Sequence, residues 1–186
     1  MTTIGRSNVA HLEQVEAPGS MVTKTAAKVL AVLRVATGFV FLWAFLDKTF
    51  GFGYATPSAK AWVNGGSPTK GFLSSVEAGP LKGFFHSIAG THFANWAFMI
   101  GMLGIGLALI LGIGLRVAAG AGALMMAFMW LAEWPLASGS SNPIVDYHVV
   151  YALAAVLFAL TYAGQTWGLG KIWAKLPFVQ KNRWLI

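Results

Sequence analysis

The chain contains no cysteine in 186 residues. That excludes disulfides, thiolate zinc, iron–sulfur ligation and persulfide chemistry within it. Charge is scarce as well. Only 10% of residues are Asp, Glu, Lys or Arg, against about a quarter in a soluble domain. So few charges cannot keep a water-facing surface polar, so lipid must cover much of it. Paired histidines are missing too: only His148 lies in or near an apolar run, while His86 and His92 fall in a long polar connection. A bis-histidine haem needs histidines on facing spans. Neither haem nor a metal site is therefore expected. No P-loop, no Gly-rich nucleotide loop after a strand and no Ser/His/Asp arrangement is visible. The Gly-x-Gly pairs lie inside apolar runs, where close helix contact explains them.

What the chain does have is apolar length. Hydrophobic residues make up 56% of it. Four runs, 26–46, 94–115, 117–131 and 145–163, predict transmembrane helices. The fold expected is an all-α integral membrane protein, a four-transmembrane-helix bundle of residues 26–165. Residues 1–25 read as a polar tail, and 166–186 as a basic tail whose Trp167, Trp173 and Trp184 suit the headgroup region. The first connection, about 50–93, is broken by Gly and Pro but carries Phe72, Leu73, Leu81, Phe84, Phe85 and Ile88. Short interfacial helices are expected there, with Pro57 and Pro80 in first turns. Only Arg116 is expected to separate the second and third spans.

Charge sets an expected orientation. Lys24, Lys28, Arg116, Lys171, Lys175, Lys181 and Arg183 gather toward one face, while 133–143 has no Lys or Arg. The positive-inside rule puts both termini in the cytoplasm and the long first loop outside. The formal net charge of +7 flanks apolar runs, so anionic lipid headgroups, rather than nucleic acid, are its expected partner. Small residues form stripes: Ala155, Ala159 and Ala163; Ala108 and Gly112; Ala118 and Gly122. They suit close packing within the bundle or a homo-oligomer seam. The cluster of Met99, Met102, Met125, Met126 and Met129 reads as gap-filling core.

Two places carry candidate chemistry. Arg34 lies about two turns inside the first span, where a charge is costly. It either snorkels to the headgroups or points inward toward Thr161, Tyr162 or Gln165. At the other end, topology gathers three helix ends carrying Trp43, Asp47 and Lys48; Glu133 and Trp134; and Asp146, His148 and Tyr151. A quinone headgroup needs such a set: donors to its carbonyls, proton exchange and apolar walls. Ordinary interfacial anchoring is the other reading of the same residues.

Several elements in order resemble the DoxX/DoxD family of small bacterial membrane proteins. They are Arg34, Trp43, Asp47 and Lys48; the stretch Trp62-Val63-Asn64-Gly65-Gly66-Ser67-Pro68-Thr69-Lys70-Gly71-Phe72-Leu73; the turn from Gly112 to Arg116; Asn142 and His148; and Gly164 and Trp167. The resemblance spans roughly 29–176. One departure is Gly101-Met102, where relatives often carry Gly-Glu. The resemblance implies a four-helix protein of the bacterial cytoplasmic (plasma) membrane. It implies a component of a quinone-linked oxidoreductase, such as the membrane subunit of thiosulfate:quinone oxidoreductase, with quinone as substrate. On that expectation Asp47, Glu133 and His148 exchange protons, and Arg34, Trp43, Lys48, Trp134 and Tyr151 hold quinone or the anionic substrate. The alternative is a non-catalytic scaffold or accessory subunit of a larger complex. With no redox group in the chain, electrons pass directly between bound substrates or through a partner subunit.

Overall fold

A computed structural model describes residues 22–137 and 142–186. Most of the expected N-terminal tail and the middle of the 133–143 loop lie outside the described residues. The described chain is all-α. Its long helices are α1 (Lys24–Phe50), α4 (His92–Leu111), α5 (Leu115–Glu133) and α6 (Tyr147–Leu160). Short helices α2 (Lys70–Ser74) and α3 (Lys82–Ile88) interrupt the first connection; α7 (Gly170–Trp173) and α8 (Pro177–Lys181) follow α6. Helices α1, α4 and α5 are long and apolar enough to cross a membrane. Helix α6 is equally apolar but has 14 residues, shorter than the 145–163 run suggested.

The ends of these helices have local causes. Thr23 and Thr91 cap α1 and α4, their hydroxyls accepting from the N–H groups of Ala26 and Ala94 at 3.2 Å. Gly51 and Gly112 end the same helices at φ 70° and 71°, a conformation glycine adopts without penalty. Asp146 starts α6 by accepting from the N–H groups of His148 and Val149. That explains why α6 begins two residues later than the apolar run does. The turn between α4 and α5 is built on Gly112, Ile113 and Gly114, not on Arg116. Arg116 is instead in the first turn of α5, 3.2 Å from the Tyr162 hydroxyl.

Two helix pairs dominate the packing, α1 with α4 and α5 with α6. Small residues set both, as lipid supplies no hydrophobic drive between helices. A Cβ on Gly106 would stand 2.8 Å from the backbone N of Leu42. A Cβ on Gly122 would lie 3.8 Å from that of Ala155. Ala155, Ala159 and Ala163 are all buried, so that stripe packs within the chain. Phe41, Ile105, Leu109, Met126 and Phe158 fill the centre. Outward faces carry Val29, Ile100, Leu124, Leu153 and Leu160, each at least 60% exposed, which is the surface of a multi-spanning membrane protein.

The connection between α1 and α4 folds over one end of the bundle. Val76 and Phe85 pack on Ala132 at the end of α5. We call this the loop end and the opposite one the termini end.

Candidate functional site

At the loop end, α5 finishes with Glu133 and α6 begins with Tyr147. The Tyr147 hydroxyl donates to Glu133 Oε1 at 3.0 Å. One residue on, His148 Nδ1 lies 2.9 Å from Asp146 Oδ2. The other Asp146 oxygen takes the two capping N–H groups, so that carboxylate is held on both sides. Burial pushes its carboxyl up, but the His148 ring and the Val149 and His148 N–H groups hold it below the usual carboxylate range. His148 is 1% exposed, and its Nε2 has no hydrogen-bond partner among the described residues. The Tyr147 ring lies on the imidazole at 4.0 Å between centroids, and Tyr151 lies edge-on to Tyr147 at 6.0 Å. Donor atoms of Glu133, Asp146 and His148 all fall within 4.8 Å of one another.

Trp134 borders this group. It ends α5 in the left-handed region at φ 34°, with its ring edge-on to Trp130 and against Gly79. Trp130 Nε1 reaches across to the carbonyl of Ile144 at 3.0 Å, tying the start of the α6 segment to α5. Glu133, Trp134, His148 and Tyr151 are thus brought to one helix junction, as the chain order predicts.

The residues contributed by α1 have other partners. Both Asp47 oxygens face backbone donors, Tyr54 N–H at 3.4 Å and Ala55 N–H at 3.0 Å. At 2% exposure this carboxylate anchors the loop that leaves α1. Lys48 is half-buried, with its Nζ 6.0 Å above the Phe98 ring. Trp43 sits in an aromatic ladder with Phe39, Phe52 and Tyr54 at 5.2–5.9 Å. Among the described residues, no hydrogen bond or ion pair links Asp47 or Lys48 to Glu133 or His148.

Arg34 belongs to the other end. It is fully buried, neither snorkelling nor bonded to Thr161, Tyr162 or the Gln165 side chain. Its Nη1 donates to the carbonyls of Leu109 and Ile110; its Nη2 donates to those of Thr166 and Trp167. Gly112 and Gly168 clear the space, since a Cβ on either would lie 3.0–3.1 Å from a guanidinium nitrogen, and Gly164 lets its backbone pack directly on Gly112. The charge is balanced by carbonyl dipoles at the end of α4, where backbone donors run out.

Sequence reasoning missed Tyr147 as the bridge to Glu133. The signal was available, because a tyrosine beside a helix-capping Asp stands level with the end of the preceding antiparallel helix. It also missed Asn95, a buried side chain on α4. Asn95 Oδ1 accepts from Ser67 Oγ and from Thr69 Oγ1, and fastens the loop to the bundle.

Comparison with family models, with curated proteins and with solved structures found no match. The site is therefore read from its own geometry.

Proposed function

We propose that the chain is a DoxX/DoxD-like membrane component of a quinone-linked oxidoreductase, spanning the bacterial cytoplasmic membrane four times with both termini inside. The observation that carries the reading is the junction of α5 and α6. Two polar pairs, Tyr147 with Glu133 and His148 with Asp146, meet there beside Trp134 and Tyr151. A quinone headgroup is bound by this kind of set: hydrogen-bonding groups at its oxygens, aromatic rings at its face, and lipid beside it for its tail. Glu133 and His148 serve as hydrogen-bonding and proton-exchanging groups, with Tyr147 touching both, its hydroxyl on Glu133 and its ring on the imidazole. Trp43 offers an aromatic wall on α1, and Lys48 a cation for an anionic donor such as thiosulfate. Asp47 shapes the loop, and Arg34 shapes the far end.

The electron count needs no redox centre in the chain. Two thiosulfates each lose one electron and join through a new S–S bond. The quinone takes the two electrons and two protons to become the quinol. The test is thiosulfate-dependent reduction of a quinone analogue by membranes with and without the protein at matched expression. Activity only with the protein supports the reading, and equal rates refute it.

The second reading is a non-catalytic accessory subunit. Gly104 on α4 and Gly120 on α5 face open space, so another helix can approach closely there. Co-purification with a larger complex, lost in Gly120→Leu, supports that reading; a monomer in mild detergent opposes it.

A further inference from the structure

We propose that Glu133, Asp146 and His148 form a binding site for one divalent first-row transition ion at the junction of α5 and α6. The expectation of no metal site came from counting histidines alone, which finds haem but overlooks a mixed carboxylate–imidazole set. The three donors come from two different helix ends, and the fold gathers them within 4.8 Å of one another. Two ligands each about 2.1 Å from one ion stand about 3.0–3.4 Å apart. Asp146 Oδ2 and His148 Nδ1, hydrogen-bonded at 2.9 Å, need to part only slightly to reach that spacing. Glu133 is exposed, so a side-chain rotation brings its carboxylate the remaining distance.

Independent features of the junction ask for a cation. Two carboxylates face each other there, yet neither has a Lys or Arg partner among the described residues. The chain holds no Lys or Arg from 117 to 170, a stretch that includes both helices after Arg116. Like charges so placed repel unless a positive charge joins them. The imidazole is the other feature. His148 is 1% exposed with Nε2 unpartnered, an arrangement that costs free energy in an apolar protein. An ion on Nδ1 takes the place of the proton shared with Asp146 Oδ2 and is balanced by that carboxylate, a compensation the buried ring has on its Nδ1 side alone.

The carboxylates are also oriented from behind. Tyr147 holds Glu133 Oε1, leaving Oε2 to turn inward. The N–H groups of His148 and Val149 hold Asp146 Oδ1, leaving Oδ2 on the cluster. Such outer contacts fix ligand geometry at metal sites. One nitrogen and two carboxylates suit zinc, manganese or ferrous iron rather than calcium, which takes more oxygens. Three protein ligands leave positions for water or an oxygen-bearing ligand on the exposed side.

The ion site does not depend on the quinone reading, because chelation is measured with no quinone present. Protein purified in mild detergent is stripped with chelator, then titrated separately with Zn²⁺ and Mn²⁺; bound metal is counted by elemental analysis after desalting. One equivalent per chain, with affinity at least tenfold weaker in both Glu133→Gln and His148→Gln, is the expected result. Glu133→Gln is the decisive variant, since an exposed isosteric change leaves folding intact, checked by an unchanged melting temperature without metal. Asp146 is left alone because it caps α6. Binding equally tight in a folded Glu133→Gln, or no stoichiometric binding by the parent protein, overturns the proposal. A parent site with no effect on quinone reduction leaves the ion in place and counts only against its part in that reaction.

Discussion

Replacing Arg34 by Met should have two effects of opposite sign, and measuring both tests the account of the termini end. Arg34 lies six residues past Lys28 in α1, about 9 Å further along the axis at ~1.5 Å per residue. An arginine in the centre of a span raises the cost of insertion by roughly 2.5–3.5 kcal/mol, which Met removes. Insertion of α1 should therefore improve. The folded bundle should nonetheless weaken. Four carbonyls, those of Leu109, Ile110, Thr166 and Trp167, lose their donor where no water replaces it. Leaving a buried acceptor without its donor costs about 1–3 kcal/mol, and the four together cost less than their sum because they are not additive. Arg34→Lys keeps the charge but not the planar fork, so it should fall between. Thr37→Val is the control: its hydroxyl bonds only to Leu33 within α1, and its loss should cost under about 1 kcal/mol. The assays are glycosylation mapping of α1 insertion and reversible unfolding in mixed micelles. Folded stability of Arg34→Met within about 1 kcal/mol of the parent would refute the reasoning, since a snorkelling arginine behaves that way. If Arg34→Met gives no folded protein, the Lys variant still carries the comparison.

Other outcomes follow from the same contacts. Asp47→Asn should loosen the segment after α1, because one of two oxygens facing Tyr54 and Ala55 N–H groups becomes a donor; limited proteolysis within 52–61 should speed up while quinone reduction changes less. Asn95→Leu should destabilise by about 2–3 kcal/mol, as Ser67 and Thr69 lose a shared acceptor under the loop. His148→Ala should lower the melting temperature by opening a cavity, whereas His148→Gln should fold and lose quinone turnover; full turnover in folded His148→Gln would remove this residue from the mechanism.

Long apolar runs made α1, α4 and α5 legible from sequence, since about twenty such residues leave few other folds. The end of the fourth run was less legible. Asp146 competes for the first N–H groups of α6, and Tyr162 leaves the helix at φ 50°, so capping and a turn shorten what hydropathy alone extends. Arg34 announced itself by depth, but its partners could not be named, because backbone carbonyls at the end of a distant helix carry no residue signature. The glycines that admit the guanidinium, Gly112 and Gly168, carry no mark of that role in the sequence. Asp47 shows the same gap in reverse. A carboxylate near a membrane surface reads equally as an acid for chemistry or as an anchor, and only the return of the chain at Tyr54 and Ala55 decides.

The two ends of the bundle differ in what their polar atoms are free to do. At the termini end the guanidinium nitrogens of Arg34 that carry its fork are matched to four carbonyls, and glycines close the backbone around them. On α1 the Asp47 oxygens are taken by the loop, and on α4 the Asn95 oxygen is taken by Ser67 and Thr69. None of these groups can bind a ligand without first giving up a contact that holds the fold. The junction of α5 and α6 is different. Among the described residues one Glu133 oxygen and the His148 Nε2 have no hydrogen-bond partner, and the exposed face of Glu133 opens to solvent. Among the described residues two buried side-chain polar atoms lack a partner, Arg34 Nε at the termini end and His148 Nε2 here. Only here does an exposed carboxylate stand beside the orphan atom, which is the physical reason to place function at this junction. The argument holds for a quinone, for a metal ion or for both. It fails if removing Glu133 and His148 together raises stability and leaves every measured activity and metal affinity unchanged, for then the junction is an unrelieved flaw in packing and the working surface lies elsewhere.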